Sequence, residues 1–117
     1  GVCYLMREEF PIIKEWASVA KDIFSVTTLF PRNVRNSLST KIENYTLEVQ
    51  DLLIDAFYSK AKRDLLITIN NRLEKLRFLI RFAYELRFVN EAKYLNLVKR
   101  VNKTGAMVGG WMKSCTV

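Results

Sequence analysis

The side chains with the clearest chemical potential in this sequence are its arginines and lysines. Residues 1–60 carry 7 basic and 8 acidic side chains, whereas residues 61–117 carry 12 and 4, so the two parts have net charges of −1 and +8. Concentrated positive charge attracts polyanions and speeds their encounter with a protein. A solvated helix face that keeps a small protein soluble has the same composition. Charge alone therefore fits binding and solubility equally.

Basic residues recur on one side of the last predicted helix, where Lys99, Arg100 and Lys103 follow Lys93 and Trp111 lies on the flank. Cations beside an aromatic ring can hold phosphates and stack a base. The alternative is ordinary, because polar helix faces are commonly rich in lysine and a single Trp packs more often than it stacks. The candidate nucleic-acid-binding residues are Arg72, Lys75, Arg77, Arg81, Arg87, Lys93, Lys99, Arg100 and Lys103.

Side chains suited to catalysis are scarce. The chain contains no histidine, so it lacks the usual general base, the usual transition-metal ligand and the base that activates a nucleophilic Ser or Cys. Helical ribonucleases that rely on an Arg–His pair are excluded for the same reason. Glu48, Asp51 and Asp55 share one helix edge without the converging partners of a two-metal site, and no Gly-rich loop follows a strand. We therefore predict a protein that is not an enzyme and uses no cofactor or metal.

Helices must position these cations, and the clearest predicted helix contains residues 73–87. Apolar residues at steps of three and four form one stripe, which predicts a buried side. Phe78, Phe82 and Leu86 lie away from that stripe, so we expect them to form an interface with another subunit. The stripe consists of Leu65, Ile69, Leu73, Leu76, Ile80 and Ala83. A separate polar ridge consists of Arg63, Asn70, Glu74, Arg77 and Arg81.

Helix breakers and capping residues divide the rest of the sequence. Pro11 suits the first turn of a helix, Pro31 ends that helix, and Asn90 caps the last one. Capping oxygens between Asn33 and Ser39 indicate where the second helix begins. The four predicted helices span residues 11–28, 36–59, 63–88 and 91–113. Together they predict a single all-α domain over residues 1–117.

Each of these helices has an apolar stripe of its own. The predicted inward residues are Ile12, Trp16, Val19, Ile23 and Phe30 in the first helix, Leu38, Ile42, Tyr45, Val49, Leu52, Leu53 and Ala56 in the second, and Tyr94, Leu97, Val98, Val101, Val108 and Met112 in the fourth. The acidic edge at Glu48, Asp51 and Asp55 is expected to pair with arginines of the third helix or of another subunit. The glycines of the fourth helix, Gly105, Gly109 and Gly110, predict a close helix crossing.

Cysteine usage and hydropathy indicate the compartment. Cys3 and Cys115 lie near opposite ends without metal-ligand spacing, which indicates a reducing compartment and two incidental thiols, with a bridge between the chain ends as the alternative. The first residues lack a basic region ahead of an apolar run, so no secretory signal is predicted. No stretch reaches the roughly 18 apolar residues of a membrane span. We expect a soluble, cytoplasmic protein without membrane contact.

Four segments resemble a known family in their order and spacing. They are FPRNVRNSLSTKIENY at 30–45, LLIDAFYSKAKRDLL at 52–66, LEKLRFLIRFAYEL at 73–86 and GAMVGGWMK at 105–113. The combination is similar to the accessory variability determinant (Avd) proteins of diversity-generating retroelements. Those proteins are related to the four-helix-bundle proteins encoded in intervening sequences of ribosomal RNA genes. The resemblance covers about residues 11–113.

The resemblance implies an antiparallel up-down four-helix bundle that assembles into a barrel-like homopentamer with a basic surface. Proteins of this kind bind nucleic acid and associate with the reverse transcriptase of the retroelement. Together they support mutagenic synthesis of complementary DNA from a template RNA, so the complementary DNA or an RNA–DNA hybrid is a further expected ligand. The chemistry belongs to the polymerase, and the present chain is implied to be its non-catalytic accessory.

Two basic residues are singled out by the resemblance, and two alternative functions stay open. Arg77 and Arg81 lie within the matching third segment and are the first choice for functional cations. The glycines and Trp111 of the last segment fit a packing role. One alternative is an intervening-sequence bundle protein. The other is an oligomeric adaptor that uses the apolar flank of the third helix and has no reverse-transcriptase partner.

Overall fold

The computed structural model describes the backbone of residues 6–115 and the side chains of residues 11–115. Within that part the chain forms four α-helices and no strand, which confirms the all-α prediction. The helices are α1 (Met6–Thr27), α2 (Thr40–Tyr58), α3 (Lys62–Glu85) and α4 (Glu91–Cys115). None of these helices is both long enough and apolar enough to span a bilayer. Cys3, and with it any bridge to Cys115, lies outside the described residues.

Helix α1 begins at Met6, five residues before the predicted start at Pro11. Pro11 therefore lies inside the helix, in its second turn. A proline there removes the backbone hydrogen bond to the carbonyl of residue 7, a loss confined to the end of the helix. The helix ends at Thr27, one residue before the predicted end, and Phe30 folds back into the core after a short turn.

The start of α2 differs from its prediction. The chain first makes a 3₁₀ turn at Arg32–Val34 and then a π-helical turn at Arg35–Ser39, so the α-helix begins only at Thr40. No side chain caps it. The Thr40 hydroxyl instead donates to the carbonyl of Arg35 at 2.6 Å, along the wider turn. The predicted start at residue 36 was wrong because the polar side chains support a wide turn rather than a cap.

The end of α3 also falls earlier than predicted, at Glu85 rather than residue 88. Arg87 has a φ of 65°, which reverses the chain. The N–H of Arg87 donates to the carbonyl of Tyr84 at 2.9 Å, and that of Phe88 donates to Ala83 at 3.0 Å. These two bonds define a Schellman motif, which satisfies carbonyls that the helix end leaves free. An arginine occupies the left-handed position that usually holds glycine.

Side chains cap helix ends in the connections between α2 and α3 and between α3 and α4. Lys62 donates from Nζ to the carbonyls of Ala56 at 2.7 Å and Phe57 at 3.0 Å, at the C-terminus of α2, where a cation also suits the helix dipole. Asn90 accepts a hydrogen bond at Oδ1 from the N–H of Lys93 at 2.8 Å. That bond confirms Asn90 as the predicted N-cap of α4.

One apolar core draws residues from all four helices. Most predicted inward residues are buried, but in α3 the buried residue is Leu66, and Leu65 is only half-buried. The sequence also did not indicate that Thr46 and Thr104 are buried. Trp16 donates from Nε1 to the carbonyl of Thr46 at 2.9 Å, which ties the centre of α1 to α2. Predicted inward residues of α2 and α4 that are half-buried rather than fully buried are Leu38, Tyr45, Leu52, Tyr94, Val98 and Met112.

The helices contact one another in a closed order. Helix α1 packs against α2 and α4, and α3 packs against the same two helices. Each helix thus has one side against the core, two sides beside neighbours and one outer face. The candidate site residues lie on α3, on α4 and in the turn between them.

Candidate nucleic-acid interface

The nine candidate cations divide into two groups by their surroundings. The side chains of Arg72, Arg77 and Arg100 are half-buried where two helices meet, and each contacts an acidic residue. The second group is exposed and consists of Lys75, Arg81, Arg87, Lys93, Lys99 and Lys103. The two groups therefore have different capacities: the first holds helices together, and the second is available to a polyanion.

Arg77, the first choice from the sequence, joins α3 to α4. Its Nε donates to Oδ1 of Asn102 on α4 at 2.7 Å, and its Nη1 pairs with Glu74 on its own helix. Gly105 makes room for this arrangement, because a Cβ there would lie only 2.8 Å from Nη2 of Arg77. The guanidinium thus lies against the backbone of α4. The contacts with Asn102 and Glu74 would have to change before Nε and Nη1 of Arg77 could bind a phosphate.

Arg100 joins α4 to α1 in a similar way. Its Nη1 donates to Asp22 at 2.6 Å, while its Nη2 contacts Ser18 at 2.9 Å and Glu15 at 3.4 Å. The hydrogen bond to Asp22 raises the pKa of Arg100 above its ordinary value; burial opposes that effect, and Glu15 adds to it. The charge of Arg100 is therefore fixed and is balanced by two carboxylates.

The acidic edge of α2 meets one arginine of α3. Arg72 donates from Nε to Glu48 at 2.7 Å, as the sequence predicted for this edge. Asp51 and Asp55 are exposed and form no ion pair within the described residues. One acid of this edge, Glu48, is thus paired within the protomer, and the other two face solvent.

The exposed cations of α4 lie beside the α1 contact. Lys99 and Lys103 flank Arg100, and Lys103 approaches Glu15 only at 3.8 Å while most of its side chain is in solvent. Lys93 is exposed at the start of the helix. The sequence did not indicate that Glu15 and Asp22 of α1 belong to this surface, because they lie 85 and 78 residues from Arg100 along the chain.

The exposed cations of α3 have looser surroundings. Arg81 pairs with Glu85 one turn later at 3.7 Å, a contact of two exposed side chains worth at most about 1 kcal/mol. Lys75 lies 6.0 Å from the ring centre of Tyr45. The prediction had placed Arg87 within the helix, whereas it lies in the turn that follows. Arg81 is therefore the one first-choice cation that is open to a ligand.

Trp111 is not placed to stack a base. Its side chain is buried, and the ammonium of Lys62 lies 5.9 Å from the centre of its ring. The structure therefore supports the alternative that Trp111 packs in the core. Of the three glycines, only Gly105 lies at a close crossing, because a Cβ at Gly109 or Gly110 would meet no atom within 4 Å. The prediction of a close crossing at those two positions was wrong.

Phe78, Phe82 and Leu86 form an apolar row on the outer face of α3, with exposures of 69%, 44% and 45%. The rings of Phe78 and Phe82 stack with centroids 6.5 Å apart. An exposed row of this kind is typical of a protein interface. No cluster of three or more possible metal-ligating side chains occurs among the described residues.

These features define a small helical protein with outward lysines, arginines held at helix junctions and an exposed aromatic row. A family model described as bAvd-like matches residues 10–115, and the chain belongs to that family. The match confirms the resemblance to Avd proteins that the four sequence segments indicate. Neither curated proteins nor solved structures yield a match to the chain.

Proposed function

We propose that this protein is the non-catalytic accessory of a diversity-generating retroelement, binding template RNA together with the reverse transcriptase. In this function it supports mutagenic synthesis of complementary DNA in the cytoplasm, and it contacts the product strand or an RNA–DNA hybrid as well. The observation that carries the proposal is the bAvd-like match over residues 10–115. The exposed cations of α3 and α4 supply a surface on which a polyanion could lie.

The proposal includes an antiparallel up-down bundle that assembles into a barrel-like homopentamer. Contacts between neighbouring helices support the antiparallel order: Arg77 contacts Asn102, whereas Tyr84, further along α3, stacks on the earlier Tyr94 of α4. The exposed row Phe78, Phe82 and Leu86 supports assembly, because a subunit contact would remove it from water.

Binding on this surface would be electrostatic. Lysines reach phosphates as mobile point charges, and contacts to the backbone of a nucleic acid carry no sequence information. We expect low sequence preference, with the polymerase performing the chemistry and the accessory raising the local concentration of template. Several copies in one assembly would place their cations along one strand.

The salt dependence of RNA binding tests this function. The logarithm of the affinity should fall by about 0.7 per tenfold rise in salt for each phosphate contacted on a single strand. The double variant Lys99→Gln/Lys103→Gln should lower that slope by about 0.7 for each lysine that contacts phosphate. The matched control is Lys60→Gln/Arg63→Gln, which removes the same charge at the connection between α2 and α3. Affinity that stays flat between about 50 and 200 mM salt, or equal losses in both variants, would contradict the proposal.

The second candidate is an oligomeric adaptor without a reverse-transcriptase partner. The apolar row on α3 favours it, since that surface suits a protein contact better than a nucleic acid. Lys99→Glu separates the two functions, because Lys99 is exposed on α4, so its substitution leaves both the helix junctions and the apolar row on α3 intact. Weaker RNA binding with unchanged assembly supports the retroelement function, and the reverse result supports the adaptor.

A further inference from the structure

A second exposed apolar row lies on the outer face of α2. It consists of Leu47, Ile54 and Tyr58, whose exposures are 51%, 39% and 79%. Spacings of seven and four residues bring all three to one side of the helix, within about 40° of one another. The contact of Thr46 with α1 and that of Glu48 with α3 lie on either side of Leu47. The row therefore points away from the protomer.

The charges around the two apolar rows are opposite. Residues 47–58 contain three acidic side chains, Glu48, Asp51 and Asp55, and no basic one. The exposed charged side chains of residues 75–87, which include the row on α3, are Lys75, Arg81, Glu85 and Arg87, with a net charge of +2. A contact between two α3 rows would bring like charges together, and so would a contact between two α2 rows. Only a contact of one row with the other is electrostatically favourable.

The two rows cannot meet within one protomer. Arg72 of α3 lies beside Glu48 of α2, so Leu47 is level with the middle of α3. The α3 row begins at Phe78 and continues toward the C-terminal end of that helix, away from the level of Ile54 and Tyr58. The rows have similar lengths, about 16 Å for α2 and about 12 Å for α3 at 1.5 Å per residue. A contact between the two rows therefore involves two molecules.

We propose that the occupant of the α2 row is the α3 row of a second copy of this chain. Phe78, Phe82 and Leu86 of one copy pack on Leu47, Ile54 and Tyr58 of the next, with Lys75 and Arg81 beside Asp51 and Asp55. This contact joins different surfaces of the two copies, so each copy keeps one free row, and repetition closes a ring or extends a filament. The inference rests on the self-assembly in the proposed function and adds the surface that receives the α3 row.

Charge placed in either row should break the contact. Phe78→Glu and Leu47→Glu each put a carboxylate into an apolar contact, and both positions are exposed, so both variants should fold. We expect each variant alone to be monomeric by light scattering, with the helical content of the wild type by circular dichroism. Leu29→Glu is the matched control, because Leu29 is equally exposed but lies outside both rows. It should assemble as the wild type does.

Mixing the two variants is the decisive measurement. Phe78→Glu keeps an intact α2 row, and Leu47→Glu keeps an intact α3 row, so an equimolar mixture should form a 1:1 heterodimer that grows no further. Failure of the mixture to associate overturns the inference. Loss of assembly in Phe78→Glu with normal assembly in Leu47→Glu also overturns it, but leaves self-assembly through α3 intact. A monomeric wild type would contradict both the inference and the proposed pentamer.

Discussion

The guanidinium groups of Arg72, Arg77 and Arg100 contact carboxylates at helix junctions, whereas the lysines of α4 remain in solvent. The difference follows from their chemistry, since a planar fork can satisfy several acceptors at once and an ammonium is more strongly hydrated. The spacing of three residues predicts the pairing of Arg77 with Glu74, and the acidic edge of α2 indicated an arginine of α3 as the partner of Glu48 without showing which one. Glu15, Asp22 and Glu48 are remote in sequence from their partners, so the candidate set included arginines that join helices.

The contact of Gly105 with Arg77 leads to the first prediction. In the middle of a helix, Gly→Ala raises stability by about 0.5 to 1 kcal/mol because the unfolded chain loses freedom. Gly109→Ala should show that gain in urea denaturation, since its Cβ meets no other atom. Gly105→Ala should gain less or lose stability. Its Cβ displaces Arg77 from Asn102, a hydrogen bond worth about 1 kcal/mol or more.

A double-mutant cycle separates these two effects. In an Arg77→Leu background the guanidinium is absent, so Gly105→Ala should there recover the gain shown by Gly109→Ala. Equal gains for Gly105→Ala in the presence and absence of Arg77 would mean that the arginine moves aside at no cost. Arg77 would then be restored as a candidate ligand for phosphate.

At the scale of the helices, periodicity predicted all four elements and most of their buried sides, because an amphipathic stripe is set by neighbours along the chain. The helix ends were harder. Asn90 was predicted because its amide carries its own capping oxygen, while the π-helical turn at Arg35–Ser39 has no such local signal. The left-handed turn at Arg87 was missed for a related reason: glycine or asparagine usually marks it, and neither is present.

The turn at Arg87 leads to the second prediction. A non-glycine residue in the left-handed region costs about 1 to 2 kcal/mol, because Cβ approaches the following carbonyl. Arg87→Gly should therefore raise the free energy of unfolding by about 1 kcal/mol. Arg87→Ile should lower it, since a β-branched side chain fits that region worse. Both variants remove the same charge, so equal changes in urea denaturation would show that electrostatics rather than backbone geometry controls the turn.

At the scale of the whole molecule, the charge contrast between the two parts of the sequence is smaller in the folded protein. Glu15 and Asp22 balance Arg100, and Glu48 balances Arg72, so acids of the first part neutralise cations of the second. What remains outward on each protomer is a short set of exposed cations. A few phosphate contacts give weak binding at physiological salt. The proposed function therefore predicts that several protomers engage one strand.

This dependence on assembly leads to the third prediction, which concerns Phe78→Glu as a monomer. Separate protomers lose the effective concentration that assembly provides, so the affinity for a long single-stranded RNA should fall by about 100-fold or more. The salt slope should fall as well, because each monomer neutralises fewer phosphates.

Leu29→Glu adds the same negative charge without breaking assembly, and it should retain both the affinity and the slope. A short RNA that reaches only one protomer provides the second comparison, since Phe78→Glu should bind it nearly as the wild type does. A monomer that keeps the wild-type slope on long RNA would mean that one protomer contains the complete binding surface, and assembly would then serve the polymerase instead.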